Sequence, residues 1–370
     1  MQKKIVLLLA MLLLLMLVIT LFYALQSIHL QVKPAYLVKN ISVGRSPAGI
    51  AITPNGMYVY ITNFYSDSVS VIATNNDSIT GTIDIGNSPD FSPAGIAITP
   101  NSKYAYVTYI TSPSLGNISV LSLSNNTEVR TIYLHGYPSA SLAFTSDGKY
   151  VYVPVNNISV ISTSNNTIIK TIETGPEPGA VALLPNGKYA YVTDALSDNV
   201  SVISLSNNTV VDKIDVGKSL GFVAVSPNGQ YVYVTNPDSD AVSVIATSNN
   251  TVVDTIKVGP NPEDISISPN GKYLYISNGY ISIISTSNNT VVSKIKVGST
   301  PGGIAITPNG EYVYVTNVGS NSVSVLSAYG QIQVTLSSFY VVMIIILIAA
   351  TLATLYYYIR ESRRASGKNT

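Results

Sequence analysis

The chain has 370 residues, with 20 Lys and Arg, 19 Asp and Glu, and a formal net charge of +1 at pH 7. It contains no cysteine, which excludes disulfides, a thiol nucleophile and a thiolate metal site. Between its two ends it carries 14 basic and 18 acidic residues, and this acidic balance argues against nucleic-acid binding, which needs a basic surface.

The first segment, residues 1–27, is predicted to be a signal-anchor or a signal peptide. Residues 5–25 are apolar except for Thr20 and Tyr23, and they follow Lys3 and Lys4. A run of about 20 apolar residues is long enough to span a bilayer. It is also longer than the core of roughly 7–15 residues that is usual in a cleavable signal. We therefore favour an uncleaved anchor, with cleavage after Ala24 as the alternative.

A repeat of about 42 residues fills the middle of the chain. Its clearest copy is TPNGEYVYVTN, from Thr307 to Asn317. Each copy has one turn residue at the same place, and these residues are Asn55, Asn101, Asp147, Asn186, Asn228, Asn270 and Asn309. Their spacings, from 39 to 46 residues, are typical of a β-rich repeat such as a propeller blade.

Residues 216–257 show how one copy builds four strands. Runs rich in Val, Ile and Tyr alternate with polar turn clusters, a pattern typical of consecutive antiparallel strands. We predict strands at 221–226, 231–235, 242–246 and 252–257. Tyrosine pairs in strand two, such as Tyr58 and Tyr60, are expected to pack between blades with their hydroxyls on polar partners. Seven such copies predict an all-β, seven-bladed β-propeller over residues 36–327.

The last blade is predicted to take its fourth strand from the front of the chain. The seventh copy has only three strands and ends near Ser327. The sequence VKNISVG at residues 38–44 matches VDKIDVG at residues 211–217, which ends the fourth copy. An N-terminal strand paired with blade 7 closes the ring and leaves no free sheet edge. Both chain ends then leave the propeller on the face that carries the Pro-Asn-Gly turns.

Residues 328–338 are predicted to be a linker, 339–359 a transmembrane helix and 360–370 a cytoplasmic basic tail. The apolar run ends in three tyrosines at 356–358, and four basic residues follow, namely Arg360, Arg363, Arg364 and Lys368. Interfacial aromatic residues with basic residues beyond them mark a cytoplasmic end. Lys3 and Lys4 give the same orientation. The propeller is therefore predicted to be extracellular, anchored in the cell membrane.

The second strand of the repeat resembles a known family. The sequence YVYVTN at 231–236 and 312–317, and YVYITN at 58–63, look like the YVTN β-propeller repeat. The family is similar to archaeal surface-layer and cell-surface proteins and to periplasmic-type binding propellers. The resemblance implies a structural repeat with no catalytic set. Blades 2, 3 and 4 depart from the motif. In blade 3, Pro154 lacks a backbone donor and predicts a local break in strand pairing.

Sequons for N-glycosylation recur along the predicted extracellular part. We predict modification at Asn76, Asn117, Asn125, Asn157, Asn165, Asn199, Asn207, Asn249 and Asn288. Asn40 is also in a sequon but lies in a predicted strand. The alternative explanation is structural, because Asn-Asn pairs tolerate the left-handed backbone of a tight turn. Both explanations can hold together, since the tip of a turn is exposed.

Four carboxylates near the start of strand one are candidates for a metal site: Glu263, Asp264, Asp90 and Glu177. Most blades have Ala or Gly at the start of this strand, whereas blade 6 has the two acidic residues. Carboxylates that converge on the ring axis can hold a hard cation through oxygen ligands. The alternative is a solvated acidic rim that Arg45 and Lys218 balance.

Catalysis is the less favoured interpretation. Lactone-hydrolysing propellers need histidine, arginine or a metal–carboxylate cluster in the central funnel. Here His135 stands alone in a loop between blades 2 and 3, and Arg130 is predicted on an outer strand. The sequence has no Ser/His/Asp set and no phosphate-binding loop, and we expect no cofactor.

The sequence thus predicts an extracellular propeller that works as a non-enzymatic scaffold in envelope structure, adhesion or protein binding. Its expected partners are the membrane and other cell-envelope proteins or glycans. A propeller that binds a solute or metal ion on its membrane-distal face is the alternative, and a lactonase-like enzyme is the third interpretation.

Overall fold

The computed structural model describes residues 2–26, 29–85, 92–112, 115–335 and 338–366. The chain forms two compact units, of which the larger is Pro34–Tyr329. The smaller unit joins Met1–Lys33 with Gly330–Thr370.

The elements follow the repeats along the chain. The first three are α1 (Gln2–Gln26), β1 (His29–Lys33) and β2 (Tyr36–Ser42). Blade 1 consists of β3 (Pro47–Ile52), β4 (Tyr58–Asn63), β5 (Ser68–Ala73) and β6 (Ser78–Asp84). Blade 2 consists of β7 (Ser92–Ile98), β8 (Tyr104–Ser112), β9 (Leu115–Ser122) and β10 (Thr127–Tyr133). Blade 3 consists of β11 (Ala143–Phe144), β12 (Tyr150–Pro154), β13 (Ile158–Ser162) and β14 (Thr167–Ile172).

Blade 4 consists of β15 (Pro178–Leu183), β16 (Tyr189–Asp194), β17 (Asn199–Ser204) and β18 (Thr209–Asp215). Blade 5 consists of β19 (Val223–Val225), β20 (Tyr231–Asn236), β21 (Ala241–Ala246) and β22 (Thr251–Lys257). Blade 6 consists of β23 (Ile265–Ile267), β24 (Tyr273–Ser277), β25 (Ile281–Ser285) and β26 (Thr290–Ile295). Blade 7 begins with β27 (Pro301–Ile306), β28 (Tyr312–Asn317) and β29 (Ser322–Ser327). The last elements are β30 (Gln331–Thr335) and α2 (Ser338–Ser366).

Seven four-stranded antiparallel sheets confirm the seven-bladed propeller. The predicted closing strand is confirmed too, because β2 pairs with β29 from Tyr36 opposite Ser327 to Ser42 opposite Ser322. In every blade the register shifts between strands three and four, and β2 has the same shift between Leu37 and Lys39. A bulge at this place increases the local twist. The N-terminal strand is therefore a regular fourth strand.

The hydrophobic core lies between the blades. Each junction between two neighbours has its own cluster of buried side chains among the described residues. Between blades 1 and 2, for example, Val69, Val71 and Ile83 pack against Val107 and Leu121. Both faces of strand three are covered, and all six residues of β5 are buried. Val and Ile occupy both faces of these strands because each sheet is enclosed by two others.

One tyrosine of strand two also joins neighbouring blades. The hydroxyl of Tyr60 donates a hydrogen bond to Oδ1 of Asn126, in the next blade, at 2.9 Å. In blade 7, which lacks the corresponding turn, the N–H of Tyr329 donates to the hydroxyl oxygen of Tyr275 at 2.8 Å. The expected packing of tyrosines between blades is thus confirmed for the second tyrosine of each pair. The first, such as Tyr58, is only partly buried.

The turns between strands three and four have the left-handed backbone that explains their Asn-Asn pairs. The second asparagine of each Asn-Asn-Thr turn has a left-handed backbone, with φ between 53° and 56° at Asn126, Asn166, Asn208, Asn250 and Asn289. Asparagine adopts this conformation more readily than most residues. The first asparagine, which belongs to the sequon, is free of that constraint.

Pro154 breaks the strand pairing on one side only. It is the last residue of β12 and pairs with Ile158 of β13, so the predicted break is wrong for that side. On the inner side, β11 is reduced to Ala143 and Phe144. Pro154 still accepts a backbone hydrogen bond there through its carbonyl, from the N–H of Ser139 at 3.0 Å.

The smaller unit contains both helices and a two-stranded ribbon. β1 and β30 pair antiparallel, from His29 opposite Thr335 to Lys33 opposite Gln331. Part of the predicted linker at 328–338 is therefore a strand, since residues 331–335 form β30. Among the described residues, Tyr340–Arg360 is the helical segment long and apolar enough to cross a membrane. In α1, the apolar segment Met11–Gln26 is shorter than such a span, and the choice between an anchor and a signal peptide stays a prediction.

Replacing Gly95 by Ala is expected to destabilise the ring. A Cβ at Gly95 would lie less than 3.0 Å from the backbone of Ala140 in the next blade. Overpacking of this kind typically costs about 1–3 kcal/mol. The matched control is Gly81→Ala, because a Cβ there meets nothing within 4 Å. Thermal unfolding of the full-length protein in detergent, followed by circular dichroism, should show a lower Tm for Gly95→Ala alone. Equal Tm values for the two variants would contradict the tight packing at this junction.

Candidate functional site

A cavity of about 350 Å³ lies on the axis of the ring. Six of the seven blades line it, mostly with residues from the start of strand one: Ala48, Gly49, Ile50, Ile96, Ala140, Ser141, Leu142, Phe222, Val223, Glu263, Asp264, Gly302, Gly303, Ile304 and Val318. Strand one begins on the face that carries the loops from strand two to three and from blade to blade. The two ends of the propeller chain, beside Tyr36 and Ser327, lie at the opposite end of their strands. We call this space the axial cavity.

The cavity is asymmetric because one register position in strand one holds very different residues. In blades 1, 2 and 7 the position is glycine, and a Cβ at any of these glycines would lie less than 3.0 Å from the next blade. In blades 3 to 6 the same position holds Ser141, Ala180, Phe222 and Asp264. The blades approach closely where the residue is glycine. Phe222 and Asp264 instead bring large side chains to the axial space.

Hydroxyl groups fasten neighbouring blades beside the cavity. Thr62 donates to the carbonyl of Ala94 in the next blade at 2.7 Å, and Thr235 donates to that of Glu263 at 2.8 Å. Equivalent bonds run from Thr108, Thr193 and Thr316. Blade 3 has Pro154 where the others have Thr or Ser, and there Ser139 donates to the carbonyl of Gly179 instead.

Asp264 fastens blade 6 to blade 7. Its Oδ2 accepts a hydrogen bond from the N–H of Ile304 at 2.7 Å, and its Oδ1 accepts one from the N–H of Ile265 at 2.8 Å. Ser141, at the same register position of blade 3, accepts an equivalent bond from the N–H of Val181 at 3.1 Å. A neutral hydroxyl therefore suffices for this junction, and the negative charge of Asp264 needs another explanation.

Burial dominates the electrostatics of this carboxylate. Enclosure by protein raises the pKa of Asp264 to about 7, against the lowering effect of the two backbone N–H donors. The neighbouring Glu263 raises it further, and burial also raises the pKa of Glu263. None of the described residues that line the cavity is Lys, Arg or His. A carboxyl group with this pKa in a cavity can bind a cation or accept a proton near neutral pH.

The structure places the three predicted metal ligands that it describes along two cavities. Glu263 and Asp264 both line the axial cavity, whereas Glu177 lines a second cavity of about 760 Å³ beside Tyr137 and Asn156. Asp90 lies outside the described residues. Within the described part of the chain, no group of three or more His, Cys, Asp or Glu is placed to hold a metal ion. A site that unites all four stays a prediction.

Asp194 is a second buried carboxylate, and the sequence does not predict it as a site residue. It ends strand two of blade 4, where blades 1, 5, 6 and 7 have asparagine, and it is fully buried. Ser201 donates to its Oδ2 at 2.6 Å. In blade 1 the equivalent Asn63 donates through Nδ2 to Ser70 at 2.9 Å. Burial raises the pKa of Asp194. The only sequence signal was its departure from the YVTN motif.

The predicted glycosylation sites fall into two groups. Asn76, Asn125, Asn165, Asn207, Asn249 and Asn288 are exposed on the turns between strands three and four. Asn117, Asn157 and Asn199 are partly buried, and Nδ2 of Asn199 donates to the carbonyl of Ser197 at 2.9 Å. An amide that is hydrogen-bonded within the fold is less available for modification, so the turn sites are the better acceptors.

Comparisons with known proteins agree on the fold. The family model described as "Lactonase, 7-bladed beta-propeller" matches residues 142–253 and 167–287. Among solved structures, a chain of hydrazine synthase from Kuenenia stuttgartiensis is similar, with a TM-score of 0.69 and 22% sequence identity. The similarity covers 77% of this chain and 96% of that one. No curated protein matches the sequence. At this identity the structural likeness concerns the propeller fold alone.

Asp194→Asn is expected to stabilise the propeller at neutral pH. The variant restores the residue of blade 1 and removes a buried carboxylate, whose desolvation costs on the order of 1–3 kcal/mol. Because the folded-state pKa of Asp194 is raised, the wild type is relatively most stable below the unfolded pKa and loses stability as the pH rises through the folded pKa. The increase in Tm should therefore be large at pH 8 and shrink toward pH 4.

The reciprocal variant Asn63→Asp is the control, and it should lower the Tm at pH 8. An Asp194→Asn variant with unchanged or lower Tm at every pH would show that the carboxylate is well accommodated.

Proposed function

We propose that this protein is a membrane-anchored propeller that lies outside the cell and works as a non-catalytic interaction scaffold. The observation that carries the proposal is the lining of the axial cavity. Among its described residues, the lining offers Asp264 and Glu263 as ionisable groups but no Lys, Arg or His to polarise a substrate. Catalysis on a propeller usually needs such a second group in the funnel. A closed ring with exposed loop residues such as Tyr65 and Leu196 suits binding better.

Two further observations support the place and role of the scaffold. The helical segment Tyr340–Arg360 has the length and composition of a membrane span, and Arg363 follows it as a basic flank. The six turn sequons are exposed, as glycosylation outside the cell requires. The YVTN-type second strand and its resemblance to archaeal surface-layer proteins point to the same setting. The partners we propose are other cell-envelope proteins or glycans.

Single-cysteine labelling tests the topology, because the natural chain has no cysteine. Asn186→Cys lies on an exposed turn of the propeller, and Lys368→Cys lies in the basic tail. A membrane-impermeant maleimide should label the first variant on intact cells and the second only after lysis. The cysteine-free wild type is the blank. Labelling of Lys368→Cys on intact cells, with Asn186→Cys protected, would invert the orientation and end the proposal.

The same chemistry tests the interaction role. Leu196 is 65% exposed in the loop between β16 and β17, on the face where the axial cavity lies. A maleimide photo-crosslinker on Leu196→Cys should capture a discrete envelope component. The same reagent on Asn186→Cys, at the opposite end of the strands, is the matched control. Identical capture from both faces, or none from either, would speak against a dedicated interaction face.

A lactonase-like enzyme is the second candidate, and the family-model match to residues 142–287 favours it. Asp264 is the residue that would act as a base, since its pKa of about 7 suits proton transfer at neutral pH. Neither His135 nor Arg130 lines the axial cavity.

Hydrolysis of dihydrocoumarin, followed by absorbance, separates the two candidates. We expect the full-length wild type and Asp264→Asn to give the same background rate. Turnover by the wild type that falls by about 100-fold or more in Asp264→Asn, the typical effect of losing a general base, would establish the enzyme instead.

A further inference from the structure

We infer that the axial cavity binds a small organic cation, a primary amine that carries an apolar or aromatic group. The inference is independent of the scaffold role, because a ligand on the axis and a partner on the outer loops use different residues. It starts from the one charged feature of the cavity that the fold does not explain.

The packing of the blades does not require the negative charge of Asp264. Ser141 makes the same contact to its neighbouring blade without a charge, so the junction does not require a carboxylate. Glu263 stands beside Asp264, and its one side-chain hydrogen bond comes from Nδ2 of Asn261 at 3.4 Å. Neither acidic side chain forms an ion pair among the described residues. Enclosing two carboxylates without a cation is unfavourable, and a cationic ligand would offset that penalty.

The carboxylate has room for a ligand. An ionised carboxylate has about four acceptor sites. Asp264 uses one on each oxygen for the N–H groups of Ile304 and Ile265. The remaining sites suit an ammonium group, which has three donors. The backbone donors also fix the orientation of the carboxylate, so that little conformational freedom is lost on binding.

Apolar side chains form much of the remaining lining, which also includes Ser141. Phe222 projects from the same register position as Asp264 in the adjacent blade, and Ile96, Leu142 and Val318 line the space around them. A cavity lined by both an aromatic side chain and a carboxylate is a favourable place for an ammonium group with an apolar body. The volume of about 350 Å³ lies within the range of small-molecule sites. A bare metal ion would leave this apolar surface without a partner, whereas an aromatic or aliphatic amine covers it.

Calorimetric titration of the full-length protein in detergent at pH 8 tests the inference. The probe is 2-phenylethylamine, and 2-phenylethanol is the neutral probe of the same size. We expect the amine to bind about tenfold more tightly or better, since a charge-assisted hydrogen bond is worth at least that factor. Calcium chloride, titrated in parallel, should give no heat of binding.

Asp264→Ser is the decisive variant, because it places in blade 6 the residue that blade 3 uses at this position. It should remove the preference for the amine while its Tm and β-sheet circular dichroism stay close to wild type. Val318→Trp, at the cavity wall, should weaken both probes by occupying the space.

Three results would overturn the inference. They are equal affinity for amine and alcohol in the wild type, full amine affinity in Asp264→Ser, or binding of calcium without the amine. The first is measured on the wild type alone, so the test stands even if Asp264→Ser fails to fold. None of these outcomes bears on the orientation or partners of the scaffold, which the cysteine variants test separately.

Discussion

The structure depends on contact between one blade and the next. No blade has a core of its own, because the buried side chains of each sheet, such as Val69 and Val71, pack against those of its neighbour. Hydrophobic burial is therefore complete only when all seven junctions are formed. The last junction depends on β2, which comes from the other end of the chain. Hydrogen bonds from Thr62 and its equivalents then fix the distance between blades that burial has brought together.

Much of this architecture can be predicted from the sequence because the same blade pattern is repeated along it. A turn residue every 39 to 46 positions and a fourth strand missing from the last copy are enough to derive the number of blades and the closing strand. Features that occur only once along the chain are harder to predict from the sequence. The pairing of β1 with β30 has no repeat to reveal it, and the separation of Glu177 from Glu263 depends on where individual loops fold. The partial pairing of Pro154 likewise depends on which side of β12 its missing N–H faces.

The candidate site arises from the same repetition. A position that is glycine in three blades becomes Phe222 in one and Asp264 in the next, so one strand register supplies both the apolar and the charged wall of the axial cavity. The sequence indicated Glu263 and Asp264 as unusual, but it could not show that Ser141 performs the same junction without charge. The comparison of Asp264 with Ser141 shows that the hydrogen bond to the next blade serves the fold, whereas the negative charge is not needed for it. Function in a repeat protein of this kind is grafted onto single positions of a uniform frame.

The antiparallel arrangement of the two chain ends has a mechanical consequence. Tyr36 and Ser327 are partners at the same end of the β2–β29 pair, so a force that separates the ends loads its hydrogen bonds one after another. The β1–β30 pair lies closer to both chain termini than the β2–β29 pair, so it would open first. Opening would run from the pair His29–Thr335 to the pair Lys33–Gln331. Tension between the two terminal segments would thus be taken up by a short ribbon before it reached the ring. The pairing of β2 with β29, which closes the propeller, is therefore loaded only after the β1–β30 pair has opened.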